Sequence, residues 1–315
     1  MKTFLVTGGA GFIGSNLIRG LIQSFPSSEI RVIDNLITGK LENLKEIRHK
    51  IKFYKKDLCN YRQIAPIFKG VDIVFHEAAI PSVSRSIIEP EPSHESNIDG
   101  TFNALLASHK AGVKRFIYAA SSSAYGDTST LPKHENMSSF PKSPYALQKL
   151  VGEQYCDIFK KVYGMETVAL RYFNVFGPRQ NPFSPYSGVI SVFIKAALKK
   201  HAPTIFGDGQ QTRDFTFVKN IVALNINAAT TKKISRTVYN AGTGQRYSLN
   251  AVWKHIQKIT NVSIAPKYRP ARAGDIRDSQ ADITLAKKEL GYKPSFGLED
   301  GLQFTYKWYQ ENLKK

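Results

Sequence analysis

Only two cysteines occur among the 315 residues, Cys59 and Cys156. Two isolated thiols make neither a disulfide framework nor a thiolate metal cluster. The expectation is a reduced, cytoplasmic protein without a metal. No apolar run approaches the ~20 residues that span a bilayer, so no membrane segment is expected. Residues 1–9 do not read as a signal peptide, because their short apolar stretch runs straight into glycines. Acidic residues are scarce: 25, against 44 lysines and arginines, for a formal charge of +19. Such an excess favours anionic partners. The cations are spread along the chain, however, in clusters no longer than Lys199-Lys200-His201, and no nucleic-acid motif accompanies them. The reading is a basic surface around a site for an anionic small molecule, with no nucleic-acid partner.

What is present is a regular alternation. Short apolar runs at Phe4–Thr7, Ile30–Asp34, Ile51–Tyr54, Ile73–Phe75, Arg115–Ala120 and Thr167–Tyr172 read as strands. Helical spacing separates them, clearest at Ile13–Ile22, Asn97–Ala111 and Ser143–Tyr163. Strands alternating with helices imply βαβ units and a parallel sheet. After Asn174 the pattern breaks into a Pro-, Ser- and Asn-rich stretch at 177–188, then shorter mixed elements. The expected fold is α/β: a Rossmann-type doubly wound parallel sheet with a smaller mixed α/β C-terminal domain. The expected boundaries are 1–174 and 175–315, with a stretch near 213–245 returning to the first domain.

Gly8, Gly11 and Gly14 lie between the first strand and the first helix. Glycines there permit a tight turn and close approach of a pyrophosphate, while the helix N-terminus presents free N–H groups. A glycine pattern alone is weak, but strand, loop and helix occur in the required order. Asp34 ends the second strand, twenty residues past Gly14. A carboxylate there can accept both ribose hydroxyls of NAD and would repel the 2′-phosphate of NADP. Asp57-Leu58, after the third strand, is placed for the adenine edge.

Tyr145 and Lys149 are four residues apart on one predicted helix, and so share a face. A tyrosine with pKa about 10 is a poor base at neutral pH, and a neighbouring cation favours its phenolate. With a serine hydroxyl on the same oxygen, the arrangement suits removing a proton from an alcohol. The cluster Ser121-Ser122-Ser123 offers three such hydroxyls.

Taken in order, these motifs resemble the extended short-chain dehydrogenase/reductase superfamily, and more closely its NAD-dependent nucleotide-sugar 4-epimerases, over essentially the whole chain. In that family the catalytic hydroxyl lies four residues before a Tyr-Gly pair. Tyr125-Gly126 therefore implies Ser121. The resemblance implies cofactor contacts from Phe12, Ile13, Asn35, Ala78, Ala79, Asn97 and Tyr172, besides Gly8, Gly11, Gly14, Asp34, Asp57, Leu58, Tyr145 and Lys149. It implies UDP-sugar contacts from Ser82, Arg85, Ser121, Ser122, Asn174 and Ser279, with Arg213 and Arg272 on the diphosphate. Two arginines suit that role, since guanidinium forks bind phosphates bidentately. The resemblance further implies a homodimer through a four-helix interface of 97–111 and 143–163, and the substrate class suggests precursor supply for glycan or lipopolysaccharide synthesis.

Dehydratases of the family place Asp-Glu after the catalytic threonine. Here Ser122 and Ser123 stand in those places, which leaves 4-epimerisation. Members restricted to plain hexoses carry a tyrosine where Ser279 stands, so UDP-N-acetylglucosamine and UDP-N-acetylgalactosamine are the expected pair, with UDP-glucose and UDP-galactose possible. Arg85 could instead bind a carboxylate, which keeps a UDP-glucuronate 4-epimerase as the alternative. A non-catalytic NAD-binding sensor or scaffold is a second alternative. Glu77 is an unexpected charge beside a ribose.

Overall fold

The computed structural model describes residues 1–184, 186–271 and 276–312. Its strands are β1 (Thr3–Thr7), β2 (Glu29–Asp34), β3 (Lys52–Lys55), β4 (Ile73–His76), β5 (Arg115–Ser121), β6 (Glu166–Tyr172), β7 (Val175–Phe176), β8 (Thr204–Phe206), β9 (Thr212–Arg213), β10 (Thr216–Phe217), β11 (Val238–Ala241), β12 (Tyr247–Ser248) and β13 (Lys267–Arg269). Its helices are α1 (Phe12–Ser24), α2 (Tyr61–Ile64), α3 (Val83–Ile88), α4 (Pro90–His94), α5 (Gly100–Lys110), α6 (Pro144–Tyr163), α7 (Val189–Leu198), α8 (Val218–Thr230), α9 (Leu249–Thr260), α10 (Thr284–Leu290) and α11 (Leu298–Asn312). No helix among the described residues is long and apolar enough to cross a membrane.

Seven strands form one parallel sheet in the order β11-β6-β5-β4-β1-β2-β3. The chain steps outward from β1 in one direction to β3, then crosses to β4 and steps the other way. This is the doubly wound order, with its switch point between β1 and β4, where such sheets bind dinucleotides. The central strands are apolar on both faces because helices cover both. Phe4, Val6, Phe75 and Ile117 pack on one side, and Leu5, Val74, Phe116 and Tyr118 on the other. A third cluster, around Phe193, Phe217, Trp253 and Leu302, forms the core of the second lobe.

Local chemistry fixes the longest helix. Ser143 accepts a hydrogen bond from Ala146 N, Pro144 occupies the first turn, and Gly164 closes the end at φ +67°. A buried ion pair then locks this helix to the sheet. Arg171 on β6 grips Glu153 on α6 through Nε–Oε1 at 2.9 Å and Nη2–Oε2 at 2.7 Å, with both side chains about 5% exposed or less.

Several elements differ from the sequence reading. Residues 97–111 are not one uniform helix: a π-helical turn at Glu95–Asp99 precedes α5. The helices between 83 and 94 and the whole of α11 carry no pattern that the sequence reading recognised. α11 is amphipathic, but its apolar face is set by the second lobe it covers, where Leu298, Leu302 and Tyr309 are buried.

Candidate active site

One cleft of about 1870 Å³ runs across the C-terminal edge of the sheet. Gly8, Gly11, Phe12, Ile13 and Gly14 line one end. Gly8 adopts φ +67°, and a Cβ there would lie 2.6 Å from the backbone of Ala78. The loop therefore touches the end of β4, and only a glycine fits. Gly11 caps α1 without any side-chain bond, so the N–H groups of the first turn stay available to an anion.

Asp34, 8% exposed, is held by two amides: Ala10 N donates to Oδ2 at 2.9 Å and Leu36 N to Oδ1 at 2.8 Å. Burial raises its pKa, while these two amides oppose the rise. Each oxygen accepts one of these amides, and the residue lines the cleft. Asn35 Nδ2 donates to Asp57 Oδ2 at 2.9 Å, and Cys59 N to Oδ1 at 2.8 Å. Burial pushes Asp57 up, but those two donors and the Cys59 thiol outweigh it and hold the carboxyl below its usual range. Leu58, Ala78 and Ala79 complete this wall.

At the other end stand Ser121, Ser122, Tyr145, Lys149 and Tyr172. β5 ends on Ser121, whose Oγ accepts from Ser123 Oγ at 2.8 Å and from Ser123 N at 3.2 Å. Tyr145 sits in the first turn of α6, its N–H donating to Ser86 Oγ at 3.0 Å. Burial raises the pKa of its phenol, and a bond with Ser121 offsets part of the rise. Lys149, one turn on, donates to Ala119 O at 2.9 Å. Burial lowers the ammonium to about 8, with Glu77 and Glu153 opposing. The expected lowering of Tyr145 involves Lys149 together with the positive ring of NAD, and in the chain by itself burial is the larger influence on the phenol. The ammonium faces a carbonyl, and desolvation dominates the phenol.

Tyr172 donates to Glu77 Oε1 at 2.7 Å, which gives the unexpected Glu77 a defined partner. Asn174, at φ +30°, donates to Asp214 O at 3.3 Å and lines the cleft. Arg213 and Ser279 lie on the roof and are tied together by the same segment. Arg213 Nη1 donates to Arg277 O at 3.1 Å, and Ser279 N donates to Thr212 O at 3.1 Å. Arg272 lies outside the described residues.

Two of the expected contact residues are already engaged within the chain. Asn97 is 1% exposed and is not on the cleft wall. Its amide brackets Ile80 N and O and bonds Gln148, so it shapes the wall from behind. Arg85 lines the cleft, but its Nε is engaged by Glu89 at 2.9 Å, one turn away on the same face. Ser82 caps α3 by accepting from Arg85 N at 3.2 Å.

Among cleft residues that the sequence did not single out are Lys133 and Arg179. Lys133 is 2% exposed and donates to Thr128 O. Arg179, at φ +72°, reaches from the 177–188 loop to Asn16 on α1 at 3.2 Å. Burial and the nearby Arg19 lower its guanidinium to about 10. A positive φ at a non-glycine next to Gly177-Pro178 leaves no mark in sequence pattern.

A model of the NAD dependent epimerase/dehydratase family matches residues 4–242. The chain belongs to this family. It is an epimerase, and its cofactor is NAD. A curated relative from Methanocaldococcus jannaschii, a putative UDP-glucose 4-epimerase, is 37% identical over 98% of both chains. The crystal structure of UDP-glucose 4-epimerase from Thermotoga maritima, with UDP-glucose, superposes at a TM-score of 0.93, with 37% identity over 99% of both chains. The UDP-N-acetylglucosamine 4-epimerase from Methanobrevibacter ruminantium, in complex with UDP-N-acetylmuramic acid, gives 0.93 with 39% identity over 98% of both.

The cleft of this epimerase fits the dinucleotide. The backbone cradle at Gly8 has no room for a side chain, the uncapped α1 N-terminus suits a diphosphate, and Asp34 presents two acceptors to a ribose diol. Asp34→Ala should therefore weaken NAD binding about tenfold or more and relax discrimination against NADP. Isothermal titration with both dinucleotides checks this. Unchanged affinity for both would remove Asp34 from the ribose site.

Proposed function

We propose that the chain interconverts UDP-hexoses at C4, preferring UDP-N-acetylglucosamine and UDP-N-acetylgalactosamine, with UDP-glucose and UDP-galactose as a further pair. The observation that carries this is the reacting end of the cleft. Tyr145, Ser121 and Lys149 converge there, and only hydroxyls stand at Ser122 and Ser123. Nothing at those two positions can act as the extra acid or base that eliminating water requires.

NAD, when bound, supplies a two-electron acceptor that can return what it takes. Tyr145 takes the proton of the sugar 4-hydroxyl and later gives it back, while Ser121 holds the same oxygen. Because the phenol is raised by burial, its ionisation draws on the positive charge of Lys149 and of the oxidised cofactor together. Asn174 and Arg213 would hold the UDP portion while the 4-keto sugar turns over. Residues 1–174, with the stretch near 213–245, would serve the cofactor, and 175–315 the UDP-sugar.

Ser279 supports the acetylated pair. It is 8% exposed and small, on a segment fixed against β9, so the wall leaves space beside the sugar. Arg85, bound to Glu89, is a weaker candidate for a uronate carboxylate than its sequence position implies. α5 and α6 expose Phe102, Leu147, Ile158 and Val162, which supports pairing of these helices in a homodimer. A cytoplasmic, nucleotide-sugar-supplying role for polysaccharide synthesis agrees with this reading.

Tyr145→Phe should lower kcat by at least about a thousandfold with NAD binding retained, since proton transfer loses its group. An active variant would overturn the mechanism. Equilibrium assays with UDP-glucose, UDP-N-acetylglucosamine and UDP-glucuronate side by side rank the sugars. Ser279→Tyr should abolish turnover of the acetylated pair and spare the plain pair. Full acetylated-sugar activity in that variant would sink the pocket argument. Light scattering should report twice the 35.3 kDa chain mass, and monomer alone would refute the helix pairing.

A further inference from the structure

The reacting end of the cleft contains a carboxyl group that the proton-transfer scheme leaves unused. Glu77 directly follows β4, with its backbone pressed against the glycine loop. Its N–H donates to Thr7 O at 3.2 Å, and a Cβ at Gly8 would lie 2.9 Å from its carbonyl carbon. Its side chain is tethered as well. Oε1 accepts from the Tyr172 hydroxyl at 2.7 Å, and that hydroxyl accepts from Asn225 Nδ2 at 2.8 Å. Asn225 can only donate through Nδ2, so the single proton of Tyr172 is committed to Glu77. The carboxyl thus lines the same cleft as Tyr145, Lys149 and Tyr172 and is tethered there by the Tyr172 hydroxyl.

The titratable groups around it are few. Lys149 acts on it from α6 and Tyr172 from β6, His76 precedes it on its own strand, and Tyr145 lines the same cleft. His76 bonds Thr7 and Thr101, and burial holds it neutral, down to about 3. The Lys149 ammonium is bound to Ala119 O and acts on Glu77 at longer range.

We propose that Glu77 sets the charge preference of the bound cofactor: its tethered carboxylate favours the oxidised, cationic dinucleotide over the reduced, neutral one. This rests on the reading that places Tyr145 at the reacting end of NAD. In the forward half-reaction the sugar C4–H bond breaks and its electron pair leaves with the hydrogen as hydride to the ring. The hydroxyl proton goes to Tyr145, and the ring charge falls from positive to neutral. The reverse half-reaction restores both. A fixed negative charge stabilises the first state and not the second, so it drives the electrons back onto the sugar and disfavours a stranded reduced cofactor. Burial pushes the Glu77 carboxyl up to about 7, with the Tyr172 hydroxyl and Lys149 opposing. The bias is therefore present above that pH and is lost as the carboxyl takes up its proton below it.

The test is the reduction midpoint of the enzyme-bound dinucleotide, followed at 340 nm against redox dyes in the purified holoenzyme. Glu77→Gln keeps the size of the side chain and an acceptor for Tyr172 but removes the charge. Its midpoint should rise by about 30 mV, a tenfold loss of preference for the oxidised form. An unchanged midpoint in a folded, cofactor-loaded Gln variant overturns the proposal. The second measurement uses the wild type alone. From about pH 7 to about pH 5.5 its preference for the oxidised form should weaken beyond the change in free NAD, a range over which Glu77 takes up its proton while Lys149, lowered to about 8, is already mostly charged. A preference that tracks free NAD over that range also overturns it. Neither measurement needs a UDP-sugar. Failure of the sugar assays would therefore leave these results standing, and a flat midpoint would leave 4-epimerisation intact.

Discussion

The placement of the reacting groups depends on one buried ion pair. α6 carries Tyr145 and Lys149, β6 ends in Tyr172, and Arg171 joins the two elements through a bidentate grip on Glu153. The remaining guanidinium nitrogen, Nη1, has no hydrogen-bond partner, but the group lies 4.5 Å from the Tyr125 ring, whose face offsets part of the cost of desolvation. Removing one partner of such a pair costs about 3–5 kcal/mol, because an uncompensated charge stays buried. A looser attachment would let the tyrosine drift relative to the end of the sheet. Sub-ångström placement of groups that exchange a proton is where catalytic rate is lost first.

Around that fixed frame, burial works against every charge the chemistry uses. It raises Tyr145, lowers Lys149 and raises Glu77, each away from its charged form. The groups restore one another: Glu77 and Glu153 favour the ammonium, and Lys149 in turn favours the Glu77 carboxylate. The site is thus a small electrostatic network in a low-dielectric cleft, and in the proposed mechanism a cationic cofactor adds the charge that lets the phenol ionise. The +19 surface belongs to a different scale. A net charge of that sign favours the approach of anionic ligands in general.

The roof of the cleft at Arg213 and Ser279 is held by a second buried carboxylate. Asp214, fully buried, accepts from Thr243 N, the Thr243 hydroxyl, Gly244 N and Ala281 N. It gathers loops far apart in sequence onto the edge next to β11. Ser279 and Arg213 lie beside this assembly, so the shape of this part of the cleft comes from long-range contacts, most of them made by backbone amides.

What could be read from the sequence followed from local rules. The glycine loop, Asp34 at a strand end, Ser143-Pro144 opening a helix, and Tyr145 and Lys149 one turn apart are all set by backbone preferences within a few residues, and they fixed the parallel-sheet fold and the kind of chemistry. Those rules reach no further than the element that carries them. Whether Arg85 is available or already held by Glu89, and whether Asn97 faces the cofactor or the protein interior, depended on rotamer and packing. That Lys133 and Arg179 enter the cleft, and that α11 covers the second lobe, depended on elements distant in the chain. Glu77 marks the division most clearly. In sequence it is an awkward charge after a strand. Only the tertiary structure, by placing Tyr172 and Asn225 beside it, decides that the charge is held in the cleft, because hydrogen bonds between residues 95 and 53 positions apart leave no local pattern.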